Sequence, residues 1–142
     1  MPAARARRAL LVLALGSGLS SAATASEEWA APTTERARAN PVPESPEALA
    51  RGRALFERYC TACHGKKGKG DGPASAEARD LTDPAVQARL TDGEIFWKIG
   101  TGREKDDEMA MPAFARQIKA QDRWKLVRYV RSLAAMPATP SP

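Results

Sequence analysis

Histidine and cysteine are scarce in this chain of 142 residues, which has one histidine, His64, and two cysteines, Cys60 and Cys63. All three lie within five residues. A structural zinc site needs four ligands, usually two pairs that are separated in the sequence. The chain has no second pair of this kind, so a zinc site is not expected.

Large apolar side chains are also few. Residues 46–135, the predicted folded region, contain fifteen Leu, Val, Ile and Phe residues among 90, or about 17%. Below about 20%, a chain rarely forms a core from its own side chains alone, although the net charge here is too low to indicate disorder. We therefore expect something other than side chains to fill part of the core.

The positive charge is smaller than the composition suggests. The formal net charge is +5, but Arg5, Arg7 and Arg8 lie in a predicted leader, and without them 19 basic residues face 17 acidic ones. No basic stripe alternates with aromatic residues, so nucleic-acid binding is not expected.

Long apolar runs are absent after the first 25 residues, which resemble a secretory signal. A basic start is followed by an apolar stretch at 9–19 and by the small residues 23–25, typical of a cleavage site. The stretch has about half of the ~20 residues that span a membrane, so an uncleaved anchor is the weaker alternative. We expect export to the periplasm and a mature chain that starts at Ser26.

Prolines and helix-capping residues mark the boundaries of the segments after residue 25. Residues 26–45 are predicted to be an extended lead-in, residues 46–135 one domain, and residues 136–142 a flexible tail. Helices are predicted from Pro46, capped by Ser45, to Cys60; from the capping box of Thr91 and Glu94 to Gly100; and over about 120–134. Residues 65–73, with four glycines, are predicted to be a loop, and no strand pattern of convincing length is present.

The residues Cys60-Thr61-Ala62-Cys63-His64 match the C-x-x-C-H motif of covalent haem attachment. On a helical turn, positions i, i+3 and i+4 share one face, so two thiols and an imidazole can meet one macrocycle. The thiols would form thioethers with the vinyl groups, and His64 would bind the iron. A disulfide and a thioredoxin-like redox pair are the alternatives, but the second is usually found near a βαβ pattern.

A second axial histidine is impossible, because His64 is the sole histidine, and a methionine is its usual partner. With the imidazole on iron, Ser-His or Cys-His catalysis is disfavoured. Met111 is the predicted ligand, because Pro112 stiffens the backbone that presents it. Met109 is the alternative, whereas Met136 lies at a frayed helix end.

With these residues, the sequence resembles a class I c-type cytochrome of the small bacterial monohaem type. The resemblance covers residues 45 to about 135. It rests on residues 60–65, GDGP at 70–73, MPAF at 111–114 and WKLVRYV at 124–130. It implies an all-α class I cytochrome c fold, in which three to five helices with long loops surround one covalently bound haem c.

The resemblance also implies roles for single residues. The first and last helices of the family cross in close contact, and four residues match these positions: Gly52, Phe56, Leu126 and Tyr129. Pro73 is the nearest candidate for the proline whose carbonyl supports the axial histidine. Trp97 could border the haem edge, and Arg79 and Arg103 could meet the propionates.

The expected function is that of an electron carrier, not an enzyme, passing single electrons between periplasmic or membrane redox partners without a substrate of its own. The alternative is a haem c subunit of a periplasmic dehydrogenase or oxidase complex. A small peroxidase or haem sensor would need an open sixth position, which the Met111-Pro112 motif argues against. Lys66, Lys67 and Lys69 could dock an acidic partner or simply solvate their loop.

Overall fold

The computed structural model describes residues 29–74, 77–105 and 108–135, with the backbone alone for residues 108 and 109. The predicted leader, the tail and Met136 lie outside the described residues. In chain order the elements are α1 (Thr33–Arg36), α2 (Pro46–Tyr59), α3 (Thr61–His64), α4 (Pro84–Arg89), α5 (Asp92–Thr101), β1 (Arg103–Lys105), β2 (Glu108–Met111) and α6 (Ala120–Ala135). Within this part of the chain, no helix has both the length and the hydropathy to cross a bilayer.

Helices α2 and α6 form the main contact of the fold. The α2 helix begins as predicted, with the Ser45 hydroxyl accepting a hydrogen bond of 3.1 Å from the Ala48 N–H. Gly52 lies against the Lys125 carbonyl, and a Cβ at Gly52 would be 2.7 Å from the Tyr129 Cβ. The Phe56 and Tyr129 rings are 5.4 Å apart. Glycine is thus needed at this crossing, and the predicted helix contact is confirmed.

The core lies between α2, α5 and α6. In the described part of the chain, its largest fully buried side chains are Phe56, Leu126, Val127 and Leu133. The Phe96 ring of α5 stacks on Trp124 of α6 with 4.0 Å between centroids, so α5 is fixed against the crossing helices.

Helix α5 begins at its predicted cap, where the Thr91 hydroxyl accepts a hydrogen bond of 3.1 Å from the Glu94 N–H. This bond uses the backbone N–H of Glu94, whereas the second bond of a capping box would use its side chain. The side chain has other partners. It is buried, and its carboxylate pairs with Lys98 at 3.2 Å and with Arg36 at 3.5 Å. The helix extends one residue beyond the predicted Gly100 and closes at Gly102, whose φ is +69°.

The all-α class with long loops is confirmed, with elements that sequence analysis missed. A small antiparallel hairpin joins β1 and β2, with a bulge between its first two pairs. Helices α1, α3 and α4 have four to six residues each. Elements this short span too few residues to show a helical or strand periodicity, which is why the sequence pattern does not reveal them.

Residues 29–45, which we call the strap, pack on the domain. The Trp29 indole N–H donates to the Gly102 carbonyl at 2.8 Å, and the Asn40 amide donates to the Trp124 carbonyl at 3.0 Å. Arg128 of α6 donates to the Val42 carbonyl at 2.8 Å. The described part of the predicted extended lead-in is therefore docked along α5 and α6, and it contains one helical turn.

Candidate functional site

The C-x-x-C-H motif forms a separate helical turn directly after α2. Cys60 ends α2, with its N–H donating to the Phe56 carbonyl at 2.9 Å, and its own carbonyl accepts from the His64 N–H at 2.9 Å. This i to i+4 bond makes residues 60–64 helical. The side chains of Cys60, Cys63 and His64 therefore share one face of α3, as the motif predicts.

Both cysteines are free and half-buried. Burial, with a smaller contribution from the neighbouring Cys63, raises the pKa of the Cys60 thiol to about 12. The reactive thiol of a thioredoxin-like pair instead has a lowered pKa, which supplies the thiolate nucleophile. The environment of Cys60 therefore argues against the thioredoxin alternative.

The glycine loop after α3 satisfies the carbonyl groups that the short helix leaves free. The N–H groups of Gly65, Gly70, Gly72 and Ala74 donate to the four carbonyls of α3, at distances of 2.9 to 3.1 Å. A Cβ at Gly72 would lie 2.5 Å from the carbonyl carbon of Cys63. The loop thus passes beneath the motif at a distance that only glycine allows, and it holds the turn in place.

A Gly72→Ala variant is expected to lower the free energy of unfolding of the haem-loaded protein by about 1–3 kcal/mol, because the added methyl group forces the loop away from α3. Urea unfolding followed by circular dichroism measures this change. Lys67→Ala, in the same loop but exposed, is the matched control and should stay within about 0.5 kcal/mol of wild type. An unchanged midpoint for Gly72→Ala would show that the loop does not support the turn.

The His64 ring is oriented by a backbone carbonyl. Its Nδ1 lies 3.3 Å from the Arg79 carbonyl oxygen. Because a carbonyl can only accept, this contact places the ring proton on Nδ1 and leaves the Nε2 lone pair for a metal. Burial lowers the pKa of His64, so the neutral form is favoured, while the bond to Arg79 opposes this shift.

The supporting carbonyl belongs to Arg79, so the expectation for Pro73 is wrong. Gly70 lies against this segment, since a Cβ there would be 3.2 Å from the carbonyl carbon of Arg79. Sequence reasoning missed the contact because any residue can supply a backbone carbonyl. No side-chain signal marks the one that is used.

Met111 is the last residue of β2, and its half-buried side chain packs against the hydrophobic core. Backbone bonds from residues just after it fix this segment to the end of α5. The Phe114 N–H donates to the Ile99 carbonyl at 3.0 Å, and the Ala115 N–H donates to the Gly100 carbonyl at 3.2 Å. Met109 pairs with Glu104 across the hairpin, whereas Met111 pairs with Arg103.

Several apolar side chains that pack on the core are only partly buried. The Tyr59 and Phe114 rings meet edge to face at 5.8 Å. Leu81 and Leu90 also pack on the core without being fully covered. Two thiols, a neutral imidazole and a thioether are the donor set that haem c requires, so the chemistry of these residues fits this group.

The other residues named for roles at the haem edge are more scattered. Trp97 is half-buried on α5. Arg103 lies on β1 with its guanidinium 5.5 Å from the Trp29 ring, while Arg79 is exposed and contributes its carbonyl. Lys66, Lys67 and Lys69 are all exposed.

Comparison with known proteins gives one family match. Residues 47–130 match the sequence profile described as cytochrome C oxidase, cbb3-type, subunit III. Among curated proteins, the chain is similar to the cytochrome bc1 complex cytochrome c subunit of Corynebacterium diphtheriae, with 30% identity over 94 residues. The alignment covers 66% of this chain and 30% of that protein, so the chain spans less than a third of this relative.

Three solved structures are also similar. The first belongs to a reducing HAO-like protein complex of Kuenenia stuttgartiensis, with 26% identity, a TM-score of 0.54, and coverage of 66% of this chain and 46% of that one. For the c-type cytochrome KustC0563, the identity is 25%, the TM-score 0.50, and the coverage 58% and 95%. For the c-type cytochrome XoxG of Methylobacterium extorquens AM1, the identity is 27% and the TM-score 0.50, with coverage of 62% of this chain and 51% of that one.

Proposed function

We propose that the chain, which belongs to the class I c-type cytochromes through the family that its residues 47–130 match, is an exported carrier that transfers single electrons with one haem c held by His64 and Met111. One observation carries the proposal: the motif turn presents Cys60, Cys63 and His64 on one face, and the Arg79 carbonyl leaves Nε2 of His64 available.

Each residue has a distinct task in this proposal. The thiols of Cys60 and Cys63 would hold the haem through thioethers, each S–H adding across one vinyl group with its proton going to the other vinyl carbon. His64 would bind the iron through Nε2, with its ring held by the Arg79 carbonyl. Met111 would supply its thioether as the second protein ligand. When bound, the haem accepts and releases one electron, and the polypeptide limits access of water and competing ligands.

The number of haems and the mode of attachment can be measured directly. Protein produced with a haem-maturation system should contain one haem per chain by the pyridine haemochrome assay, and the haem should stay with the polypeptide after acid-acetone extraction. Haem that is extracted by the solvent would contradict the thioether attachment. A ratio of two haems per chain would contradict the monohaem proposal.

Export is the part of the proposal that rests on the sequence, because residues 1–25 lie outside the described residues. The intact mass of the purified holoprotein should equal that of a chain from Ser26 plus one haem. A mass that includes the leader would support an uncleaved anchor.

A subunit of a larger redox complex is the second candidate. The similar Corynebacterium protein is named as a subunit of a cytochrome bc1 complex, and the similar Kuenenia structure is of a protein complex. Size-exclusion chromatography of the native protein from its own membranes and periplasm distinguishes the two functions. A free carrier elutes as a single mature chain, below the 15.3 kDa of the full sequence, whereas a subunit elutes with its complex.

The lysines of the glycine loop allow a test of docking. If Lys66 and Lys67 attract an acidic redox partner, the association rate should fall with rising ionic strength, and a Lys66→Glu, Lys67→Glu variant should bind about tenfold more slowly at low salt. Stopped-flow electron transfer with the native partner gives these rates. A charge reversal at Arg53 and Lys105, remote in sequence from the loop, is the control. Rates unchanged by the loop variant would leave the lysines as solvating residues.

A further inference from the structure

Trp29, in the strap, is bound to the residue at which α5 ends and the hairpin begins. Its indole N–H donates to the Gly102 carbonyl at 2.8 Å, 73 residues away in the chain. The Lys98 ammonium lies 4.4 Å from the centre of the Trp29 ring, and the Arg103 guanidinium lies at 5.5 Å. These contacts seat the indole over the junction of α5 and β1.

Gly102 in turn lies directly against the segment that carries Met111. A Cβ at Gly102 would be 2.7 Å from the backbone nitrogen of Ala113 and 2.8 Å from the carbonyl carbon of Pro112, and it would also meet the Met111 carbonyl oxygen. The φ of Gly102 is +69°, a conformation that other residues rarely adopt. A movement of Gly102 would therefore be transmitted to the backbone of residues 111–113.

A second contact fixes the strap to α5. The buried Glu94 carboxylate pairs with Lys98, the residue beneath Trp29, and with Arg36 of α1. The strap backbone also lies against Gly93, where a Cβ would be 2.9 Å from the Arg38 carbonyl. Trp29 is thus held at a defined position by the packing of α1 on α5.

We propose that Trp29 is a positioning residue for the distal ligand, because its hydrogen bond to Gly102 holds the backbone at Met111 and thereby slows the loss of the Met111 sulfur from the iron. This inference rests on the proposed function, since it takes Met111 as the axial ligand. Trp29 lies outside the residues 47–130 that match the family, so this support comes from the part of the chain that precedes the cytochrome domain.

Imidazole binding to the ferric holoprotein tests the proposal, because imidazole can bind only after the methionine has left. Trp29→Phe keeps an aromatic ring for Lys98 but removes the N–H donor. Its imidazole binding should be about fivefold faster than that of wild type, which corresponds to the loss of one hydrogen bond of about 1 kcal/mol. Trp29→Ala should bind imidazole faster still. Both should retain the far-red sulfur-to-iron absorption at neutral pH.

Asn40→Ala is the control, because it also removes hydrogen bonds of the strap, but away from Gly102: the Asn40 amide donates to the Trp124 carbonyl of α6, and its oxygen accepts from the Val42 N–H. It should lower the melting temperature at least as much as Trp29→Phe and leave the imidazole rate within twofold of wild type. Equal acceleration by Asn40→Ala, or no acceleration by Trp29→Phe, would overturn the proposal and leave Trp29 with a purely structural role.

The two possible failures can be told apart. If Met111→Ala abolishes the far-red absorption but the Trp29 variants bind imidazole at the wild-type rate, this inference alone is wrong. If wild-type protein has no such absorption and Met111→Ala leaves the spectrum unchanged, the ligand assignment in the proposed function is wrong, and this inference is overturned with it.

Discussion

A Met111→Ala variant is expected to lose the weak far-red absorption of the ferric protein, to bind carbon monoxide readily when ferrous, and to show a lower reduction potential. A thioether ligand stabilises ferrous iron relative to ferric iron, so its removal favours the oxidised state. The expected fall is on the order of 0.2 V, a fraction of the about 0.8 V range that axial ligands span. Optical spectra, carbon monoxide titration and a redox titration measure the three effects.

Met109→Ala is the matched control, since it removes the same side chain two residues away in β2. It should leave the spectrum, the carbon monoxide reactivity and the potential as in wild type. If the two variants behave the other way round, Met109 is the ligand. If neither changes the spectrum, no methionine of this strand binds the iron, and an open sixth position would make a peroxidase or a sensor the better proposal.

The motif turn could be predicted from the sequence because its information is local. The spacing of Cys60, Cys63 and His64 matches one turn of helix, and the caps Ser45 and Thr91 bond as their positions predict. Gly52 was also predictable, since a glycine inside a helix is costly and usually has a packing reason. The crossing of α2 and α6 over this glycine is the result.

The support of the site could not be predicted, because it depends on contacts between distant backbone groups. The Arg79 carbonyl beside His64 and the Gly102 carbonyl beneath Trp29 carry no signature in the sequence. The same holds for the strap, which appeared as a proline-containing lead-in because α1 has four residues, too few to show a period. To predict that the strap docks, one would need to know where Gly93 and Trp124 lie in the fold.

The two proposed axial ligands are held in place by different segments of the chain. His64 is held from the loop that follows it, through Gly70, Gly72 and Arg79. Met111 is held from α5, through Gly102. We therefore expect substitutions in the loop to affect the retention of His64 and the motif turn, and substitutions in the strap to affect the exchange of Met111.

Removal of both thiols should abolish cooperative folding. A Cys60→Ala, Cys63→Ala variant without haem is expected to melt over a broad range, with no sharp transition in circular dichroism. The reason is the small core: among the described residues, the largest fully buried side chains are Phe56, Leu126, Leu133 and Val127. Tyr59, Leu81, Leu90 and Phe114 remain partly exposed at its edge.

The expected loss of folding free energy can be estimated by letting the haem cover these four side chains. Complete burial of a large apolar side chain contributes about 1.5–3 kcal/mol, so completing the half-finished burial of these four would add about 3–6 kcal/mol. Domains are stable by about 5–15 kcal/mol in total, so the loss removes most of the stability of a domain at the lower end of this range. The single variant Cys63→Ala, which keeps Cys60 and His64 for the haem, is the control and should still melt cooperatively. A sharp, native-like melt of the double variant would show instead that the side chains suffice, and that the haem is bound by a fold that forms without it.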